Sequence, residues 1–127
     1  MSPRIFFAIF VGGGLGSMLR HATNVAGTAL FGVNFPSGTL AVNIVGSLAM
    51  GLLAGWFALR GDGHQLRLFL TTGILGGFTT FSAFSLDTAL LWERGAHTTA
   101  ALYAGGSVAA GVLGVFAGLA VMRALLS

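Results

Sequence analysis

The chain of 127 residues has no cysteine, no lysine and only three acidic residues, Asp62, Asp87 and Glu93. Without cysteine it has neither a disulfide framework nor a thiolate metal site. The three acids form no carboxylate pair. The histidines His21, His64 and His97 are scattered, with no ligand-type partner three or four residues away, and Ser, His and Asp show no triad-like grouping. No metal site of that kind and no enzyme is expected. Charge is scarce as well: Asp, Glu, Lys and Arg make up 7% of the chain, against about 25% in a typical soluble domain. So few charges cannot cover a protein in water. The isoelectric point near 11.3 reflects six arginines set against the three acids. The arginines are spread singly, so no basic run suggests nucleic acid as a partner.

What is present is apolar. Hydrophobic residues make up 55% of the chain and the mean hydropathy is +0.91. The composition describes an all-α integral membrane protein, with membrane lipid as its surroundings. A span needs roughly 20 mostly apolar residues. Four segments qualify: Arg4 to Phe31, interrupted at Arg20 and His21; Ser37 to Leu59; Leu66 to Trp92; and Thr98 to Leu126. The connections are short, so residues 1–127 read as one four-helix membrane domain with no soluble catalytic part. The start of the chain has the look of a signal peptide, with Arg4 before an apolar run. No A-x-A-like site follows and the apolar stretch continues, so it reads as the first membrane helix.

Four spans place both termini on one side, with Arg4, Arg60, Arg67 and Arg123. Arg94 falls on the other side. The positive-inside rule favours cytoplasmic termini, but so weak a bias leaves insertion in both orientations open. Small residues recur at helical spacing: Gly106, Ala110, Gly114 and Gly118; Ser47, Gly51 and Gly55; Gly12 and Gly16. Such ridges let helices approach closely in lipid. They serve packing within one subunit, or between copies in a homo-oligomer.

The third segment carries the strongest signal. Eight of the eighteen residues from Thr71 to Thr88 are polar, including Thr79, Thr80, Ser82, Ser85 and Asp87. Serine and threonine can hide in a helix by bonding to their own backbone, but eight in one span argue for a polar lining. The pair Gly76-Gly77, followed by Thr79 and Thr80, predicts a helix break. Irregular backbone at membrane depth survives only inside protein or along a watery path. The bland alternative is a glycine kink made for packing. Phe81 and Phe84 share a face at i, i+3. They are packing residues, or they turn their electropositive ring edges toward a small anion. In the second span Thr39, Asn43 and Ser47 form an i, i+4, i+8 stripe. Asn43 is either interhelical glue or a donor to a passing anion. Tyr103 and Ser107, four apart, extend a polar track in the fourth span. Arg20 is the one positive charge within an apolar segment. It snorkels to an interface, or it raises the anion concentration at a pore mouth.

Three blocks together resemble the Fluc/CrcB family of fluoride channels. Gly12-Gly13-Gly14-Leu15-Gly16-Ser17-Met18-Leu19-Arg20-His21 is similar to GGxxGAxxRY, departing at Ser17 and His21. Gly38 to Ser47 fits GTLxVNxxGS. Gly73 to Ser85 is similar to GxxGGFTTFSTFS, with Ala83 for threonine. The resemblance covers essentially the whole chain and implies a passive fluoride channel in the cell (inner) membrane that protects against fluoride. It also implies an antiparallel, dual-topology homodimer with two pores. It assigns the pore to Asn43, Phe81, Phe84, Ser82, Ser85, Ser107, Tyr103 and Thr39, and a vestibule to Arg20. A structural Na⁺ would be held by backbone carbonyls of Gly76 and Thr79 from both subunits. Ala83, and Gly111 one turn beyond Ser107, lack hydroxyls where the track would continue. The rival expectation is a small proton-coupled multidrug exporter. That chemistry needs a membrane-embedded carboxylate, and the first span has none.

Overall fold

The computed structural model describes residues 2–61 and 63–127, and among these there is no strand. The chain rises and falls as α1 (Pro3–Phe31), α2 (Ser37–Arg60), a broken third span, and α6 (His97–Leu126). The third span covers His64–Glu93. It consists of α3 (His64–Leu68), a π-helical segment (Phe69–Leu75), α4 (Gly76–Phe78) and α5 (Ser82–Glu93). All four spans are long and apolar enough to cross a membrane. The shortest has 24 residues, which at a helical rise of 1.5 Å gives roughly 36 Å against a hydrocarbon core of about 30 Å. The outer surface is correspondingly apolar, with Phe10 77% and Met18 71% exposed. Lipid, not water, suits that surface, and the protein is a multi-pass membrane protein.

The turns are tight. Gly61 closes α2 in the left-handed conformation (φ 75°), its N–H donating to the Phe57 carbonyl. At the opposite end the Arg94 guanidinium donates to the Asn34 carbonyl, tying the first connection to the third.

Glycines set the helix spacing, because lipid supplies no hydrophobic drive between helices. α2 lies along α6. A methyl group added at Gly118 would stand 2.5 Å from the Leu52 nitrogen, and one at Gly55 2.7 Å from Met122 Cβ. α1 lies against the third span in the same way. A methyl at Gly12 would stand 2.7 Å from the Phe69 carbonyl oxygen, one at Gly16 would overlap the Ile74 carbonyl, and one at Gly77 the Gly13 carbonyl. Most of the predicted ridges are therefore consumed inside the subunit. Gly105 and Gly106 differ, having nothing within 4 Å of an added methyl. A small apolar cluster of Leu91, Ala100 and Tyr103, flanked by Phe35, Leu40 and Phe84, joins α5 to α6 and α2.

Candidate functional site

The helix break falls at Thr79 and Thr80, within the predicted stretch but after its glycines. Gly76 keeps helical angles (φ −61°, ψ −39°), and Gly77 is committed to packing on α1. Thr79 turns extended (φ −85°, ψ 158°). The cause lies across the fold. Asn43 of α2 grips Thr80 twice: its Nδ2 donates to the Thr80 carbonyl at 3.0 Å, and its Oδ1 accepts the Thr80 N–H at 2.8 Å. That pair replaces the helical bond Thr80 would make to Gly76. The Thr80 hydroxyl then accepts the Ala83 N–H at 3.1 Å and so caps α5. On the other flank the Thr79 N–H and hydroxyl both donate to the Leu75 carbonyl, and Arg20 Nε donates to the Gly77 carbonyl at 3.1 Å.

The break leaves backbone groups open. Among the described residues the carbonyls of Gly76 and Thr79 accept no hydrogen bond, and the N–H groups of Ser82 and Phe84 find no acceptor. The start of α5 thus presents donors, backed by the positive end of the helix dipole. A few residues away the freed oxygens suit a hard cation.

Gly76, Thr79 and Phe84 border an open cleft of about 570 Å³ between α2, the break and α6. It is lined by Asn43, Ser47, Gly76, Thr79, Thr80, Phe81, Phe84 and Ser107. The rings of Phe81 and Phe84 lie 5.7 Å apart at 49°, and Phe81 projects outward, 77% exposed. Ser107 is 8% exposed, and its hydroxyl is buried without a partner. A buried hydroxyl normally bonds something, so this one has capacity to spare for a guest in the cleft. Asn43 has capacity too, since its Nδ2 carries two hydrogens and Thr80 takes one. The opposite wall is apolar, made by Val108, Val112 and Val115 of α6.

Of the residues named from the sequence, the cleft brings together Asn43, Phe81, Phe84, Ser107, Gly76 and Thr79. It leaves out five others. Ser82 and Ser85 are exposed but do not line it, Ser82 lying 3.4 Å from the Thr80 hydroxyl. Tyr103 is buried between Phe35 and Phe84 and donates its phenol to Asp87 at 3.2 Å. Thr39 is buried in α2 and borders a second, polar cavity of about 340 Å³ together with Asp87 and Arg94. Arg20 is half-buried against the break. Gly111, with no hydroxyl, does line the cleft, whereas Ala83 borders the second cavity. Sequence reasoning did not single out Thr80 as the gripped residue or the valine wall. The first signal was in view, since an asparagine in a membrane helix must find partners.

Four spans, one of them broken beside a cleft with polar and apolar walls, define a small membrane protein that opens backbone groups at membrane depth. Its relatives agree on which kind. A family model described as CrcB-like protein, Camphor Resistance (CrcB), matches residues 7–119, and the chain belongs to that family. It is 66% identical over 116 residues to a fluoride-specific ion channel FluC of Methylobacterium nodulans, covering 91% of this chain and 93% of that protein. It is 58% identical over 121 residues to fluoride-specific ion channel FluC 2 of Nitrobacter hamburgensis, covering 94% and 98%. A FluC of Novosphingobium aromaticivorans is 58% identical over 125 residues, covering 97% and 98%.

Proposed function

We propose that this chain is a fluoride-selective channel, not an enzyme, and that fluoride passes through the cleft at the break of the third span. The observation that carries the reading is the gathering of unused donors around that cleft: the second Asn43 N–H, the unpartnered Ser107 hydroxyl and the open N–H of Phe84. Fluoride is small and strongly hydrated, so a pore has to replace its water with close donors. The ring edges of Phe81 and Phe84 add weak positive potential without a full charge that would trap the ion. Nothing in the fold favours the proton-coupled exporter: Asp87, the one acid well inside a span, holds the Tyr103 phenol. The test is efflux. Purified protein in liposomes loaded with potassium fluoride, with valinomycin to balance charge, releases fluoride rapidly to an ion electrode and retains chloride; release of neither ion by folded protein contradicts the proposal.

The functional unit we propose is an antiparallel homodimer with two pores. An open cleft on one subunit, a protruding Phe81 and the unfilled surface at Gly105 and Gly106 support a second copy as its other wall. Ser82 and Ser85, exposed outside their own subunit's cleft, would then face the second copy. Tags on both termini report the orientation, and termini confined to one side of the membrane count against it. The open carbonyls of Gly76 and Thr79 fit a structural Na⁺ shared by two such copies, which would satisfy those carbonyl dipoles and so hold the two subunits together. Replacing Na⁺ by a large organic cation then weakens the dimer; indifference to that exchange argues against the ion.

A further inference from the structure

The first helix presents Gly12, Gly16 and Arg20 at i, i+4 and i+8, on one stripe. The two glycines bring the α1 backbone against the third span until Gly16 touches the Ile74 carbonyl and Gly77 touches Gly13. At that separation the third member of the stripe reaches the break, and Arg20 Nε donates to the Gly77 carbonyl at 3.1 Å. Gly77 lies between Gly76 and Thr79, whose carbonyls stay open. Its own helical donor would be the Phe81 N–H, which the break has carried away. Arg20 thus fills one of the acceptors that the break orphans, on the flank opposite the Asn43 grip on Thr80.

We propose that Arg20 is a positioning residue. Its Nε–H, and not its positive charge, serves the ion path by pinning the Gly77 carbonyl so that the break keeps one geometry. The break is then held from both sides, by α1 through Arg20 and by α2 through Asn43. The open Gly76 and Thr79 border the cleft, whereas Gly77 does not; with no cleft beside it, an unpinned Gly77 carbonyl would stand unpaired at membrane depth, and the break would refold toward helix or fluctuate. The proposal deepens the fluoride-channel reading and rests on it for its flux arm, but its structural arm stands alone.

Side-chain chemistry gives a clean test. Glutamine places a neutral N–H donor the same number of bonds from Cα as arginine Nε. Lysine keeps the charge but moves the donor one atom further out. Methionine matches the length with neither donor nor charge. The variants Arg20→Gln, Arg20→Lys and Arg20→Met are compared by fluoride efflux and by amide hydrogen exchange of residues 78–85 in lipid nanodiscs. The expected result is efflux within about twofold of wild type for Arg20→Gln and a loss of about tenfold for Arg20→Met, the scale of one charge-assisted hydrogen bond. Exchange across the break rises in Arg20→Met and returns in Arg20→Gln. If Arg20→Lys retains flux while Arg20→Gln loses it, charge is what matters and the proposal is overturned. Equal behaviour of Arg20→Gln and Arg20→Met in exchange overturns it too. Should Arg20→Met fail to fold, the Gln and Lys pair still decides. If wild-type protein passes no fluoride, the channel reading fails, and the exchange comparison alone judges the positioning role.

Discussion

Replacing Asn43 by alanine removes both bonds that hold Thr80 out of the helix. The side chain spans 37 residues of sequence, donating at 3.0 Å and accepting at 2.8 Å, and a methyl group restores neither. An intramolecular hydrogen bond contributes about 1 kcal/mol net, and a buried group left unpaired costs about 1–3 kcal/mol. The pair is half-buried and borders an open cleft, so water repairs part of the loss and the lower values apply. Two bonds at the low end give a destabilisation of ~2 kcal/mol. The expected outcome for Asn43→Ala is a lower melting temperature in detergent together with reduced fluoride efflux. Asn43→Asp separates the two effects. Its carboxylate keeps an acceptor for the Thr80 N–H but sets negative charge against the Thr80 carbonyl and in the path of an anion. It should therefore lose more flux than Asn43→Ala for a comparable loss of stability. Wild-type melting in Asn43→Ala would refute the grip as the cause of the break, whatever happened to flux.

Two further substitutions have opposite signatures. Gly77→Ala drives a methyl into the Gly13 carbonyl and spreads α1 from the third span. Overpacking of this kind costs about 1–3 kcal/mol, so its melting temperature falls and flux falls with it; a wild-type melting temperature would show that the two helices are not held at contact. Ser107→Ala removes a buried hydroxyl with no partner, so stability stays level or rises while fluoride flux drops. Unchanged flux in that variant removes Ser107 from the path.

Much of this was legible in the sequence, and the exceptions share a cause. The span from Leu66 to Trp92 lies inside the observed His64–Glu93, because twenty-odd apolar residues can only be satisfied one way in lipid. The break was foreseen from Gly76-Gly77-Phe78-Thr79-Thr80. Its position was not, because glycine permits a break and does not compel one. The glycines went to close packing with Gly13, and the chain left the helix where Asn43, 37 residues earlier, offered Thr80 better partners. The π-helical turn over Phe69–Leu75 carries no local signature of this kind, and the sequence alone gave no reason to expect it. Arg20 was recognisable as the one positive charge within an apolar segment, read as snorkelling or as an anion-attracting group; that it donates to the Gly77 carbonyl depends on how closely α1 approaches. The hydroxyls divide for a similar reason. Ser107 lines the cleft, whereas Ser82 and Ser85, near the start of α5, are exposed outside it, a division set by where the chain leaves the break.

The measurement that bears most directly on the central claim is fluoride efflux from liposomes carrying wild type, Phe81→Ile or Phe84→Ile, with chloride followed in parallel. These substitutions keep apolar bulk in the cleft and remove only the aromatic ring. Wild type is expected to release fluoride rapidly without chloride, and both variants to release fluoride far more slowly. Fluoride release at the wild-type rate in both variants would contradict the claim, since the ion would then cross elsewhere than between those rings.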